Sequence, residues 1–482
     1  MGQNQTIIIL GTFGAYLVLL LGIGIWGDRR FGQSYEGFVS ANKSLGAWVA
    51  AISSAASSES AWVMLGLSGL GYEKGLAAYW ASLGCIFGFA LAAVFVVRQL
   101  RTSAEQYDVL TLGDYFVQRL KDKNGVTRYL SATLIAFFLL VYVVAQFVAS
   151  GKQMVGMQLM GYRSGVMMGA LVIGVYVLIG GYAAVCWTDL VQGLLMAIVM
   201  IVFPVMALFA AGGISPVIET LKGADSSFWA GGEGLTWGAI GFAVGQLGIG
   251  LGYPGMPHSI IRYVTIRNDH EARRAAIITV GYGTIVLLGA ATLGIVGRAL
   301  IPNLLDAEHI LPVFTATYFH PIISGLILAA VSAAIMSTAD SQLMMAATSL
   351  VHDLWYKTSG SHAPLNATTM VLKTRIVIGV LTIIAMGVAL IEPQLIYTLV
   401  LFAWGALGAA FSPIILLCLH SKLVTWQGAV ASFVVGPATI VLWKIFGLSD
   451  FVYELIPGAI VSTLVGLLVS RLTQPSISTS NP

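Results

Sequence analysis

The chain has 482 residues, of which 57% are hydrophobic and 9% charged, where ordinary soluble domains carry roughly 25% charged residues. That composition excludes a soluble enzyme or binding module. A net charge of +3, with basic residues scattered between apolar runs, excludes a nucleic-acid binder.

The first apolar run follows Met-Gly-Gln-Asn-Gln-Thr, which holds no basic residue, so it reads as a retained membrane helix and not as a cleaved signal peptide. A hydrocarbon core of roughly 30 Å needs about 20 apolar residues in a helix. Thirteen such runs succeed one another, near 6–27, 46–71, 76–97, 127–158, 164–186, 188–211, 235–256, 274–300, 319–350, 371–391, 394–418, 424–446 and 453–473. The pattern predicts an all-α integral membrane protein forming one transmembrane domain over 1–482, with short loops that leave no room for a catalytic or signalling module. Cys85, Cys186 and Cys418 lie far apart inside apolar runs without metal-type spacing and read as packing residues.

Cytoplasmic loops accumulate Lys and Arg. With the N-terminus outside, 18 of the 24 basic residues fall on the inner side, including Arg98, Arg101, Arg119, Arg128, Arg262, Arg267, Arg273 and Arg274. This predicts a multi-pass protein of the inner cell membrane with its C-terminus in the cytoplasm.

Two runs are poorly made as plain membrane helices. The second contains Ser53, Ser54, Ser57, Ser58, Glu59 and Ser60, and the seventh reads Gly248-Ile249-Gly250-Leu251-Gly252-Tyr253-Pro254-Gly255-Met256-Pro257-His258. Small residues also permit close helix packing. Yet broken backbone at membrane depth is tolerated only where protein or a water-filled cavity satisfies it, and both runs are predicted to be discontinuous. If runs two to six and seven to eleven are five-helix repeats (46–211 and 235–418), each opens on a broken helix, and the odd number inverts one against the other. This is the sequence pointer to a midplane binding site.

Acids inside the membrane are functional candidates by default, and there are three: Glu59, Asp189 and Asp340. Ser337, Thr338, Asp340 and Ser341 fall within two turns on one broad helix face. Hard cations prefer oxygen ligands, so this face, with carbonyls freed in the second run, is a candidate cation site. The hydroxyls could instead bond back to carbonyls one turn earlier.

Several stretches resemble the sodium/solute symporter family, and within it the bacterial sodium/proline symporter branch. They are Leu110-Thr111-Leu112-Gly113-Asp114-Tyr115-Phe116, Gly180-Gly181-Tyr182-Ala183-Ala184-Val185 with Trp187-Thr188-Asp189 and Gln192-Gly193, Gly252-Tyr253 with Pro257-His258, Ala333-Ala334 with Met336-Ser337-Thr338 and Gln342-Leu343, and Ala403-Trp404-Gly405 with Gly408-Ala409-Ala410-Phe411. The resemblance implies a LeuT-type fold of two inverted five-helix repeats, flanked by one helix before (6–27) and two after (424–473). It implies a sodium ion held by the carbonyls of Ala56, Glu59 and Ala334 and the hydroxyls of Ser337 and Thr338. A second cation or proton site would use Asp189, Asp340 and Ser341, and the solute would meet Ser57, Ser60, Trp62, Gln146, Tyr253, Met256 and Pro257.

Three positions depart from the branch. The acid usual at Ser58 has moved to Glu59, Asp340 replaces a common serine, and Ile249 stands where the branch has a pocket tryptophan. The expectation is therefore a cation-coupled symporter of a small organic solute, an amino acid such as proline, driven by sodium, with protons or another solute as the alternative. No other cofactor, no enzyme activity and no obligate protein partner are expected; the partners are the solute, sodium and the lipid bilayer. A transporter-derived sensor would need an output domain, and a channel a continuous pore.

Overall fold

The computed structural model describes residues 3–31, 34–224, 237–357, 367–391 and 396–474. Its regular structure is helical, with one isolated bridge between Leu45 and Ile266. The crossings begin with α1 (Gln3–Phe31), α2 (Ala47–Ser58), α3 (Ser68–Lys74) and α4 (Tyr79–Phe95). A short helix, α5 (Leu112–Leu120), precedes α6 (Val126–Gly156) and α7 (Tyr162–Ala210). There follow α8 (Trp237–Gly248), α9 (Pro257–Val264), α10 (Asp269–Leu300) and α11 (Pro321–Thr348). The last are α12 (Ala367–Ala389), α13 (Ile396–His420), α14 (Trp426–Ile445) and α15 (Leu455–Thr473).

Among the described residues ten helices are long and apolar enough to cross a bilayer, fewer than the thirteen expected runs. The difference has local causes. Trp62–Gln106 takes in the end of the second run and all of the third. The fifth and sixth runs form one element, α7, broken at Gly181 (φ 70°, ψ 174°), about six residues earlier than the sequence suggested. Only glycine adopts that conformation cheaply, and a Cβ there would lie 2.7 Å from the Phe38 ring. The seventh run divides into α8, a 3-10 stretch Ile249–Gly255 and α9. It continues to Val264, beyond the expected end at 256, so Arg262 leaves the loop count and enters the protein interior at 1% exposure.

Both predicted interruptions are present. In the second run α2 ends at Glu59 (φ −92°, ψ 52°), and a π-helical stretch Trp62–Leu67 resumes the path before α3. In the seventh, Met256 is extended and Pro257 opens α9, the position where a missing N–H costs nothing. Gly250 permits a close crossing with α4, since a Cβ there would meet the Gly84 carbonyl. The start of one broken crossing is tied to the end of the other: Leu45 N–H donates to Thr265 O (3.1 Å), and Glu271 accepts from Ala47 N–H (2.7 Å) at the start of α2.

The helices pack as two groups. The broken crossings, α4 and α10 pack on one another; α6, α11, α12 and the first arm of α7 form a second set, with α1 against α7 and α11. From each broken crossing the chain continues through four further helical passages. Asp114 of α5 accepts from Arg128 Nη2 (2.9 Å) and lies 3.0 Å from His352 Nε2, pinning α5 to the end of the α11 crossing.

Burial alone would raise the Asp114 carboxyl, but the bond to His352 and the charges around it outweigh burial and hold it at about 2, below its ordinary 3.8. A carboxylate depressed in the folded state contributes stability above its unfolded pKa, lost as pH falls through the folded value. Asp114→Asn is therefore expected to lower stability at pH 7 by about 1–3 kcal/mol. The acid-dependent drop in melting temperature between about pH 4 and pH 2 should also flatten. Equal slopes in the two proteins, measured by thermal melting in detergent, would refute the assignment.

Candidate cation and solute site

The interruption at Glu59 leaves carbonyls without intrahelical partners, and side chains supply them. Ser337 Oγ donates to Ala56 O (3.3 Å) and lies 3.4 Å from Ala334 O; Thr338 Oγ1 donates to Ser57 O (3.0 Å). His258 Nε2 lies 3.1 Å from the same Ser57 carbonyl, and Trp62 Nε1 donates to Ser58 O (3.1 Å). Thus Ala56, Ala334, Ser337 and Thr338 meet at one fully buried place between α2 and α11. A hydroxyl both donates and accepts, so these groups are satisfied among themselves and can also turn lone pairs toward a cation.

Glu59 sits at the break, but its carboxyl points elsewhere. It is fully buried, both oxygens lack a hydrogen-bond partner among the described residues, and one lies 3.1 Å from where a Gly283 Cβ would stand. The side chain therefore faces α10, away from Ser337 and Thr338.

Asp189 and Ser341 are brought together, around a group the sequence reading assigned to a loop. Arg262 Nη2 donates to Asp189 Oδ2 (3.1 Å), to Ser57 Oγ (3.1 Å) and to Ser341 Oγ, while Nε donates to Ser53 Oγ (3.0 Å) and Nη1 to the His258 carbonyl. Ser53 Oγ also donates to Asp189 Oδ2 (2.6 Å). Asp340 stands beside this cluster with Oδ1 turned back to Ser341 N–H (2.5 Å) and Oδ2 unpartnered among the described residues.

The expected solute residues divide. Ser60 Oγ lies 3.2 Å from Tyr142 Oη, Gln146 Oε1 accepts from Ala61 N–H (3.3 Å), and the Gln146 amide nitrogen has no partner among the described residues. These groups, with Trp62 and the extended Met256–Pro257 step, lie at the two breaks. Ser57 turns instead to Arg262, Ser341 and the Ser337 carbonyl (3.0 Å). The Tyr253 ring packs between Phe89 (4.2 Å) and Trp404 (4.7 Å). Ile249 is buried, and its carbonyl accepts from Trp404 Nε1 (2.9 Å).

Sequence reasoning missed Arg262, Ser53 and Tyr142. The signal for Arg262 was present: Ile260, Ile261, Tyr263 and Val264 extend the apolar run around it, and a Pro at position 257 starts a helix as readily as it ends one.

Residues 38–436 match the family model described as the sodium:solute symporter family. Among curated proteins, a sodium/proline symporter of Staphylococcus aureus strain USA300 / TCH1516 is 33% identical over 489 aligned residues, covering 98% of this chain and 93% of the relative. The sodium/proline symporter of strain JH9 is 32% identical with the same coverage. Among solved structures, a substrate-bound outward-open Na+-coupled sialic acid symporter superposes with a TM-score of 0.80 at 19% identity, covering 97% of this chain and 98% of that one. MhsT in complex with L-phenylalanine gives 0.52 at 13% identity over 88% and 97%. These structural likenesses bear out the expected LeuT-type fold.

Thr338→Ala removes the hydroxyl that bridges α11 to the Ser57 carbonyl. It is expected to raise the sodium concentration for half-maximal solute uptake by roughly tenfold, the effect of about 1.4 kcal/mol. An unchanged sodium dependence would remove Thr338 from the site.

Proposed function

Because the chain belongs to the sodium:solute symporter family, we propose that it uses the sodium gradient to bring proline, or an amino acid close to it, into the cell. The observation that carries this reading is the contact between Ser337 and Thr338 of α11 and the carbonyls of Ala56 and Ser57 at the broken crossing. Sodium would bind there to the hydroxyls of Ser337 and Thr338 and the carbonyls of Ala56, Glu59 and Ala334. The solute would lie between the breaks, against Ser60, Trp62, Gln146, Met256 and Pro257.

The proline assignment rests on the S. aureus relatives, which carry that name at about one-third identity. The proposed orientation is N-terminus outside and C-terminus in the cytoplasm of the inner membrane, and an inward sodium gradient makes the direction inward. The repeats are proposed to span 46–211 and 235–418, within a count of thirteen crossings. Binding of the ion and then of the solute shifts the protein from outward-facing to inward-facing states, since a ligand moves such an equilibrium by its differential affinity. One charge moving through 100 mV gains roughly 2.3 kcal/mol, enough at about 1.4 kcal/mol per decade for roughly a fiftyfold solute gradient.

A second reading is favoured by one feature. The Glu59 carboxyl has no partner among the described residues, and a buried carboxylate without donors is costly unless it takes up a proton. Proton coupling through Glu59 is the alternative.

Uptake of labelled proline and a panel of amino acids into proteoliposomes, under a sodium or a proton gradient imposed separately, decides between them. Proline accumulation is expected with the sodium gradient alone. Accumulation driven by protons and lost in Glu59→Gln would transfer coupling to the carboxyl, and accumulation of a different solute would replace proline.

A further inference from the structure

Arg262 has no part in the sodium and solute contacts just proposed, yet it is among the most completely buried large side chains of the protein. Its guanidinium donates to Ser53 and Ser57 of α2, to Asp189 of α7 and to Ser341 of α11, and lies 5.6 Å from the centroid of the Tyr182 ring. Three hydroxyls and a carboxylate from three separate elements thus converge on one positive charge. Asp189 and Ser341 among them are the oxygens expected for a second cation. A hard cation asks for that kind of oxygen set, and a guanidinium presents five donors in a fixed fork that can occupy it.

We infer that the Arg262 guanidinium is a built-in cation that fills the second cation site, so that transport proceeds with one exchangeable cation per solute. The inference rests on the symport reading for its consequence, though not for its geometry. The lone pairs of Ser53, Ser57, Ser341 and Asp189 Oδ2 that face the guanidinium are engaged by its N–H groups; Asp189 Oδ1 has no partner among the described residues, and the guanidinium charge repels an ion from the whole set. Because the guanidinium is tethered to α9, it crosses no membrane with the solute and is not released inside.

Ser57 explains how the two cation positions stay distinct. Its carbonyl accepts from Thr338 (3.0 Å) on the sodium side, while its hydroxyl accepts from Arg262 (3.1 Å) on the other. Asp340 is the one neighbouring acid that Arg262 does not bond directly. Its Oδ1 is held by the Ser341 backbone and its Oδ2 is free among the described residues, so it is a necessary control.

The test counts radioactive sodium bound per molecule of the purified full chain. One ion is expected in the wild type and one in Asp189→Asn. Arg262→Ala should bind two, returning to one in Arg262→Ala/Asp189→Asn. Two ions in the wild type, with one lost in Asp189→Asn or in Asp340→Asn, would overturn the inference, as would a folded Arg262→Ala protein that gains none. Should Arg262→Ala fail to fold, Asp189→Asn decides: retention of one ion supports the filled site, and loss of an ion refutes it. Failure of the symport reading looks different. A wild type that binds no sodium would sink that reading, while a gain of one ion in Arg262→Ala would still uphold the role of the guanidinium.

Discussion

A helix that stops inside a bilayer leaves carbonyls that hydrocarbon cannot hydrogen-bond, and each must find a partner in the protein. Here the carbonyls of Ala56, Ser57 and Ser58 find Ser337, Thr338, His258 and Trp62. That requirement fixes which face of α11 meets α2 and which end of α9 meets both. It also makes the same place suitable for a cation. Hydroxyls that donate to carbonyls in one state can rotate and accept in another, so an ion entering the site inherits oxygens already held in position by packed helices.

The second constraint is charge. A lone ion taken from water into the interior costs several kcal/mol even after relaxation, and its partner repays this only when the remaining donors and acceptors are also met. Arg262 meets that condition on its own side, because Ser53, Ser57, Ser341 and a carbonyl accept from the guanidinium, and Asp189 meets it at one oxygen, where Ser53 donates to Oδ2 while Oδ1 has no partner among the described residues. Ser53 and Ser57 were conspicuous in the sequence as polar residues in an apolar run. Their purpose is now visible: Ser53 completes the ion pair, and Ser57 joins the ion pair to the carbonyl break.

What the sequence revealed follows the periodicity of its signals. Long apolar runs separated by charged turns gave most crossings within a few residues, and clusters of serine, glycine and proline marked both interruptions. The fifth and sixth runs are separated in the sequence near residue 187, about six residues past their real joint. Their joint is a single glycine with positive φ, and Gly181 lies in a sequence rich in small residues where no neighbour distinguishes it. Arg262 was lost for a related reason: the run was ended at Met256, so a buried arginine was credited to a loop. The direction of the Glu59 side chain was not legible either, because the helix breaks at that residue and the usual angular spacing no longer applies.

The two proposed cation positions would differ in what they do when the helix groups move. Ions at Ser337 and Thr338 would hold α11 to the carbonyls of α2, and they can leave. An exchangeable ion therefore stabilises the state in which these elements are close and releases it on departure, which is the differential affinity that coupling requires. The Arg262 guanidinium spans the same two elements, through Ser57 and Ser341, but remains attached to α9 in every state. Any motion that separates α2 and α9 from α11 and α7 must part a guanidinium from Asp189 or Ser341, and that parting becomes cheap only as water reaches the charges. In the proposed alternating-access cycle, separation of these elements would thus be tied to hydration of the ion pair.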